Sequence, residues 1–187
     1  MGLTGHKDGS PKPDPRILLV LGGSQGAQEI NELVWNNISE LCKKYIVVHQ
    51  TGAGNVDGYA ADERYKPYPY IRDEMPHVLA ASELVLGRSG AGTVWECAAL
   101  GKPMVLVPLS YSSRGDQVEN ARFFEKAGAA ICLTGVDANG KNLVRIINEL
   151  ADDHLKRTAM AGASQKIGQR DAISVIISAI GEFPGNG

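Results

Sequence analysis

Short apolar runs rich in β-branched residues alternate along the chain with longer segments whose apolar positions recur at helical spacing. Strands of a parallel sheet are buried on both faces and therefore appear as continuous apolar runs. The alternation predicts an α/β fold, a Rossmann-like doubly wound parallel sheet with helices on both faces. The predicted strands are 17–21, 45–49, 68–71, 84–87, 103–107 and 129–133.

The segments between these runs predict the helices. Residues 27–43 carry apolar side chains at helical spacing, and Gly101 and Gly128 act as stop signals for two later helices. The last helical segment is expected to form two helices broken near Gly168. The predicted helical segments are 27–43, 75–81, 93–100, 117–126, 137–150 and 154–180.

Two glycine-rich turns follow predicted strands at equivalent places. The turn at 22–27 reads Gly-Gly-Ser-Gln-Gly-Ala, and the turn at 88–93 reads Arg-Ser-Gly-Ala-Gly-Thr. A tight turn from a strand into a helix leaves backbone N–H groups unpaired and places the positive end of the helix dipole beside them, which suits a phosphate. Two such turns in one sheet predict a diphosphate held between them.

A conventional dinucleotide site is disfavoured. That site requires Gly-x-Gly-x-x-Gly and an acidic residue at the end of the second strand, where it holds the ribose. Here the first turn has a different spacing, and the second strand ends in His49-Gln50-Thr51-Gly52 without a carboxylate. His49 is expected to be a hydrogen-bonding residue at a strand end.

Polar residues that suit a sugar follow other strands. Glu96 lies one helical turn after Thr93, so its carboxylate can accept hydrogen bonds from a ribose diol beside the second turn. Asp116 and Gln117 follow the 103–107 strand and offer acceptors and donors for sugar hydroxyls. Together with two phosphate turns, these residues indicate a pocket for a nucleotide sugar.

Composition narrows the possible functions. The chain has 187 residues, 43% hydrophobic and 21% charged, with a net charge of −2 and no Lys/Arg runs, which argues against nucleic acid as a partner. No apolar stretch is long enough to span a bilayer. The three cysteines are few and far apart, and no metal-binding cluster is evident. Residues 1–16 are expected to be a Pro-rich linker, 17–183 one donor-binding domain and 184–187 a flexible tail.

Six motifs in order closely resemble the C-terminal half of MurG-type glycosyltransferases. They are Gly-Gly-Ser-Gln-Gly-Ala, His-Gln-Thr-Gly, Tyr-Ile-x-x-x-Met, Arg-Ser-Gly-Ala-x-Thr-x-x-Glu, Gly-x-Pro-x-x-x-Val-Pro and Ser-Arg-Gly-Asp-Gln-x-x-Asn-Ala. The resemblance implies the two-domain GT-B architecture and inverting transfer of N-acetylglucosamine (GlcNAc) from UDP-GlcNAc to undecaprenyl-diphospho-muramoyl-pentapeptide. That reaction makes lipid II for peptidoglycan.

The resemblance also implies roles for particular residues. The first loop, near the diphosphate and the acceptor, would contain Ser24, Gln25 and Gly26. The second loop, which binds the diphosphate, would contain Arg88, Ser89, Gly90, Gly92 and Thr93. The backbone of Ile71 would bind uracil, and Glu96 would bind the ribose. The GlcNAc hydroxyls would be bound by Asp116, Gln117 and Asn120.

Two departures from the family pattern affect these assignments. Asp116 precedes Gln117 where some members have Gln-Gln or His-Gln, which leaves the role of Asp116 open. The Tyr-Ile-Arg-Asp-Glu-Met segment is one residue longer than some family versions, so the uracil contact can shift by one residue. Arg88 also has a structural alternative as an ion-pair partner that braces the loops, and Glu96 as a solvated helix residue.

In this family the acceptor site, the membrane-binding patch and the candidate general base belong to an N-terminal domain that is missing here. The resemblance therefore implies that this chain binds UDP-GlcNAc, holds no catalytic residue and is inactive alone. No cofactor and no metal are expected. The full-length enzyme would be cytoplasmic and peripheral on the cytoplasmic face of the membrane, where its N-terminal domain meets the lipid-linked acceptor.

Three other functions stay open at this point. The chain can belong to a related GT-B transferase with another lipid acceptor, such as a diacylglycerol glucosyltransferase. It can be a separate donor-binding subunit, as in the two-subunit GlcNAc transferase of the dolichol pathway. It can also be a non-catalytic nucleotide-binding module.

Overall fold

A single parallel sheet organises the chain. The computed structural model describes residues 16–22, 28–53, 62–109 and 116–181, with side chains described as far as 169. The expected linker and tail therefore lie almost entirely outside the described residues. The strands are β1 (Ile17–Leu21), β2 (Ile46–Gln50), β3 (Tyr65–Tyr68), β4 (Leu84–Gly87), β5 (Met104–Leu106) and β6 (Ala130–Cys132).

Helices connect these strands. They are α1 (Gln28–Trp35), α2 (Ile38–Leu41), α3 (Met75–Ala81), α4 (Ala91–Ala99), α5 (Asp116–Lys126), α6 (Gly140–Asp152) and α7 (His154–Gly181). Asn139 caps α6, because its side-chain oxygen accepts a hydrogen bond from the N–H of Asn142 at 3.0 Å. A 3₁₀ turn at Gly135–Asp137 precedes this cap, so α6 begins later than the predicted 137.

The strand order is β3-β2-β1-β4-β5-β6, and all five pairings are parallel. This order confirms the predicted doubly wound Rossmann-like fold. The chain builds outward from β1 in one direction and then returns to start again at β4 in the other, so the sheet has its switch point between β1 and β4. Open α/β sheets bind ligands at the carboxyl edge beside such a point.

The core has one apolar cluster on each face of the sheet. Leu18 and Val20 of β1 face α1, α2 and α6, whereas Leu19 and Leu21 face α3, α4 and α5. Alternate side chains of one strand therefore enter opposite clusters, as a strand covered on both faces requires.

Two other predicted elements differ clearly from the structure. The 27–43 helix is divided into α1 and α2 by a turn at Asn36 and Asn37, where the Asn37 amide donates to the Leu33 carbonyl at 2.8 Å. Short amide side chains compete with the helix for such backbone groups. β3 spans 65–68 instead of 68–71, which leaves Tyr70 and Ile71 in the loop after the strand.

The predicted break of the last helix near Gly168 was also wrong, because α7 is continuous from His154 to Gly181. Gly168 is instead the point where α7 crosses α4. A Cβ at Gly168 would lie 2.6 Å from the carbonyl carbon and oxygen of Ala98 and 2.6 Å from the nitrogen of Ala99. The glycine therefore permits a close approach of two helix backbones.

Two smaller observations concern membranes and thiols. Across the described ranges, no helix combines the length and apolar character needed to cross a membrane. Cys42 and Cys97 are buried free thiols, and Cys132 is a half-buried free thiol. Burial raises the pKa of the Cys42 thiol to about 11 and of the other two to about 12, so all three are protonated at neutral pH.

Candidate nucleotide-sugar site

The strands that precede the two glycine-rich turns end side by side at the switch point of the sheet. Leu21 at the end of β1 is paired in register with Gly87 at the end of β4, and the N–H of Arg88 donates to the Leu21 carbonyl at 3.3 Å. Both turns therefore leave the same edge of the sheet from neighbouring strands. Most of the first turn, with the predicted site residues Ser24, Gln25 and Gly26, lies outside the described residues.

The second turn leads into the N-terminus of α4, which is open toward the site. Gly90 is the N-cap and provides no side-chain cap, and the first intrahelical hydrogen bond runs from Val94 N–H to the Gly90 carbonyl at 3.1 Å. The N–H groups that precede Val94 at the start of α4 have no partner within the helix. They coincide with the positive end of the helix dipole, which favours an anion there.

Among the described residues, neither the backbone nor packing requires Gly90 or Gly92. Gly90 has a φ of −63°, which any residue can adopt. A Cβ built on either glycine meets none of the described atoms within 4 Å. The described residues therefore leave the space over this turn open, and a ligand that approaches the backbone closely would account for both glycines.

A pocket of about 260 Å³ lies beside this turn. Glu96 and Thr93 of α4 line it together with the loop that follows β3, which includes Ile71. Three residues predicted to bind ribose, diphosphate and base therefore share one cavity. Its lining is completed by Leu21, Gln50, Tyr70, Met75, Leu79 and Cys97.

Gln50 is a pocket residue that the sequence reasoning missed. It lies at the carboxyl end of β2, is 7% exposed, and its Oε1 accepts a hydrogen bond from the N–H of Ile71 at 3.0 Å. Of the two backbone groups of Ile71 that could bind uracil, the N–H is therefore already paired within the chain. Gln50 belongs to the His-Gln-Thr-Gly motif at the end of a predicted strand, where α/β sheets bind ligands, and this position could have identified it as a site residue.

The residues predicted to bind the sugar form a network with the second turn. The Ser89 hydroxyl donates to the carbonyl of Gln117 at 2.6 Å, and the Asn120 amide donates to the carbonyl of Ser89 at 3.0 Å. The side-chain Oε1 of Gln117 accepts from the N–H of Leu109 at 3.1 Å. Ser89 is fully buried, so its hydroxyl fastens α5 to the turn. Asp116 is exposed at the first position of α5.

Arg88 is a buried brace below the second turn. Its side chain is 8% exposed, and Nη1 donates to the Val107 carbonyl at 3.1 Å while Nη2 pairs with Glu29 Oε2 at 2.8 Å. The guanidinium thereby ties the ends of β4 and β5 to α1, which is the structural alternative considered for this residue. Its Nε has no hydrogen-bond partner among the described residues. A direct contact with the diphosphate stays a prediction.

A chain of buried polar groups supports the end of β2. Trp35 Nε1 donates to the Tyr65 hydroxyl at 2.8 Å, and this hydroxyl lies 3.0 Å from His49 Nδ1. His49 Nε2 lies 3.0 Å from Asn31 Oδ1, and the Asn31 amide donates to the Thr51 carbonyl at 2.8 Å. All four links are satisfied when His49 is neutral with its proton on Nε2.

Burial lowers the pKa of His49 to about 4, so the imidazole is neutral at physiological pH. The ring is 0% exposed and cannot reach a ligand in the pocket. The expectation that His49 is a hydrogen-bonding residue at a strand end is therefore confirmed. The side chain acts as part of the framework that holds Gln50 and Thr51 in place.

A second depression, of about 430 Å³, lies beside α1. Its ionisable lining consists of the carboxylates of Glu29 and Glu32. Two carboxylates disfavour a diphosphate, so this depression does not suit the predicted ligand. Within the described ranges, no three His, Cys, Asp or Glu side chains come together as a metal site.

Residues 17–176 match the family described as "Glycosyltransferase family 28 C-terminal domain". The chain belongs to this family. The match covers the whole sheet and most of α7, so the pocket beside α4 is the pocket of a family 28 domain.

Full-length relatives carry this family 28 domain as part of a longer chain. One from Treponema denticola, named "UDP-N-acetylglucosamine--N-acetylmuramyl-(pentapeptide) pyrophosphoryl-undecaprenol N-acetylglucosamine transferase", is 45% identical over an alignment 168 positions long. The alignment covers 79% of this chain and 43% of the relative. A Bacillus cereus protein of the same name, numbered 2, is 40% identical over 169 residues, covering 89% of this chain and 47% of its own. The chain thus spans about half the length of the curated relatives it matches.

The fold is also similar to a solved structure. The crystal structure of Acinetobacter baumannii MurG matches with a TM-score of 0.75 at 26% identity, over 93% of this chain and 55% of that chain. The GT-B assignment is supported by this match and by the parallel sheet with its switch point.

Proposed function

We propose that this chain is the donor-binding domain of a transferase that moves GlcNAc from UDP-GlcNAc to a lipid-linked acceptor in peptidoglycan synthesis. The observation that carries the proposal is the pocket in which Ile71, Thr93 and Glu96 meet beside the open N-terminus of α4. The names of relatives at 40–45% identity support the choice of donor and acceptor.

The nucleoside fits the pocket on the side of α4. The Glu96 carboxylate is exposed and accepts hydrogen bonds from both ribose hydroxyls, because an ionised carboxylate offers acceptors only. Apolar lining from Leu21, Met75 and Leu79 covers the base. Charged and polar groups are few, as is usual where orientation is set by a small number of contacts in an apolar pocket.

The diphosphate lies over Gly90 and Gly92. The first N–H groups of α4 donate to the phosphate oxygens, and the two glycines leave the space that the oxygens need. In the transfer step, negative charge grows on the departing UDP as the bond to the anomeric carbon breaks. Fixed N–H groups stabilise that charge without having to reorganise.

The sugar lies between the second turn and α5. One polar atom of each amide is paired with the backbone, Gln117 Oε1 with the Leu109 N–H and the Asn120 nitrogen with the Ser89 carbonyl. The other polar atoms, Gln117 Nε2 and Asn120 Oδ1, bind GlcNAc hydroxyls. In this proposal the chain supplies the groups that bind the donor and no others. The acceptor, the general base and the attachment to the cytoplasmic face of the membrane belong to the other half of the enzyme.

The first test is calorimetric titration of this chain with UDP-GlcNAc and UDP-glucose. We expect saturable binding that favours UDP-GlcNAc. Glu96→Gln is expected to weaken that binding at least about tenfold, since hydrogen bonds to a charged group contribute about 1.5–3 kcal/mol. Glu40→Gln is the matched control, because it removes the same charge from an exposed ion pair with Lys43.

Different outcomes exclude different parts of the proposal. A folded chain that binds neither UDP-sugar contradicts donor binding. A preference for UDP-glucose favours a glucosyltransferase instead. The acceptor is tested by joining the chain to the N-terminal half of the Treponema denticola relative and measuring transfer of labelled GlcNAc to the lipid-linked substrate. The same fusion with Glu96→Gln is the control, and we expect it to lose transfer.

A further inference from the structure

Gln50 lies where it can contact the base of a bound nucleotide. The residue ends β2, between Leu21 of β1 and Tyr68 of β3, and is 7% exposed. It lines the same pocket as Ile71 and Glu96. Among the described side chains that line this pocket, Gln50 carries the only amide.

The orientation of this amide is fixed by the chain. An N–H group can donate only to an acceptor, so the oxygen of Gln50 faces the N–H of Ile71 and the nitrogen points the other way. In the described part of the chain, neither Gln50 Nε2 nor the Ile71 carbonyl has a hydrogen-bond partner. The site thus presents one free donor and one free acceptor on neighbouring groups.

We propose that Gln50 reads the base, with Nε2 donating to the 4-carbonyl of uracil while the Ile71 carbonyl accepts the N3–H. This inference rests on the proposed function, because it assumes a uridine nucleotide in the pocket. It gives the donor role to Gln50 instead of to the Ile71 N–H, which is already used within the chain.

The arrangement discriminates between the two pyrimidines. Cytosine carries an amino group at C4 and a lone pair at N3, so it presents a donor to Gln50 Nε2 and an acceptor to the Ile71 carbonyl. Both contacts are then mismatched. Sites that hydrogen-bond a substrate group reject an analogue that leaves buried polar atoms unpaired.

The test measures the dissociation constants of UDP and CDP at pH 8 for this chain and three variants. Gln50→Glu keeps an acceptor for the Ile71 N–H but replaces the free donor with a second acceptor. Gln50→Met removes both polar atoms without adding charge. Gln165→Glu makes the same chemical change at an exposed position of α7 and serves as the control. Thermal unfolding followed by circular dichroism verifies that each variant is folded.

Base reading predicts that Gln50→Glu and Gln50→Met weaken UDP at least about tenfold. CDP binding is expected to change less than about twofold in Gln50→Met and to strengthen in Gln50→Glu, so the preference for UDP falls in both. A residue that only positions the loop would lower UDP and CDP equally in Gln50→Met and keep UDP binding in Gln50→Glu; this result overturns the inference and leaves the proposed function intact. A wild-type chain that binds no UDP overturns both.

Discussion

The crossing of α7 over α4 predicts opposite effects of alanine at two glycines of the same helix. A Cβ built at Gly162 meets none of the described atoms within 4 Å, whereas a Cβ at Gly168 would lie 2.6 Å from backbone atoms of Ala98 and Ala99. Carbon atoms pack best about 3.5–4 Å apart. An alanine at 168 therefore overlaps α4 by about 1 Å, and the overlap is with backbone that cannot rotate away.

Both substitutions gain the same helix propensity, about 1 kcal/mol for glycine to alanine. Gly162→Ala is expected to show most of that gain as added stability. Gly168→Ala also incurs the cost of overpacking, about 1–3 kcal/mol, so it should be neutral to destabilising. The difference between the two variants isolates the overlap, because the propensity term cancels. In a domain of this size each kcal/mol shifts the unfolding midpoint by about 2–4 °C.

Urea and thermal unfolding of wild type, Gly162→Ala and Gly168→Ala measure this difference directly. Titration with UDP-GlcNAc adds a functional readout, because displacement of α4 moves Thr93 and Glu96 on the same helix. Binding should weaken in Gly168→Ala and stay unchanged in Gly162→Ala. Equal stabilisation by both alanines would refute the close crossing of α7 and α4 at Gly168.

Three further predictions concern the site and its framework. Gly92→Ala should leave stability unchanged or raised by up to about 1 kcal/mol and weaken UDP-GlcNAc at least about tenfold in calorimetry, because its Cβ enters empty space needed by the phosphate. Arg88→Met should lower the free energy of unfolding in urea by about 1–3 kcal/mol, because it leaves the Val107 carbonyl unpaired. Glu29→Gln, at the exposed end of the ion pair, should lower it by less than about 1 kcal/mol. Equal losses in the two variants would contradict a structural role of the buried Arg88 guanidinium. His49 has a pKa of about 4 in the folded chain and about 6.5 in the unfolded chain, so below pH 6.5 a proton binds preferentially to the unfolded chain. The free energy of unfolding is therefore unaffected by this group above pH 6.5 and is lower by about 2.5 kcal/mol at pH 4.5. In His49→Gln the free energy of unfolding should vary less between these two pH values.

The sheet and the second glycine-rich turn could be predicted from the sequence, because continuous apolar runs and a glycine-rich turn are local patterns. The switch point then follows from the usual strand order of this fold class. Glu96 and Thr93 were predicted correctly as neighbours because they lie one turn apart on α4. Helical spacing within one element determines that proximity.

Features that depend on tertiary contacts could not be predicted. Gly168 has the local signature of a helix break, and only the packing of α4 shows that its lack of a Cβ permits a crossing. The Ile71 N–H was expected to be free, but Gln50 occupies it from a strand 21 residues earlier in the chain. Local propensity contains no information about partners at such separations.

Three amides of the candidate site, Gln50 in the pocket and Gln117 and Asn120 of α5, share one feature. Each has one end fixed to a backbone group, namely Ile71 N–H, Leu109 N–H and the Ser89 carbonyl, in that order. A side chain already anchored in the empty site loses little rotational entropy when a ligand arrives, whereas a free glutamine gives up about 1–2 kcal/mol. The recognition surface is therefore preorganised on these amides before the donor is bound.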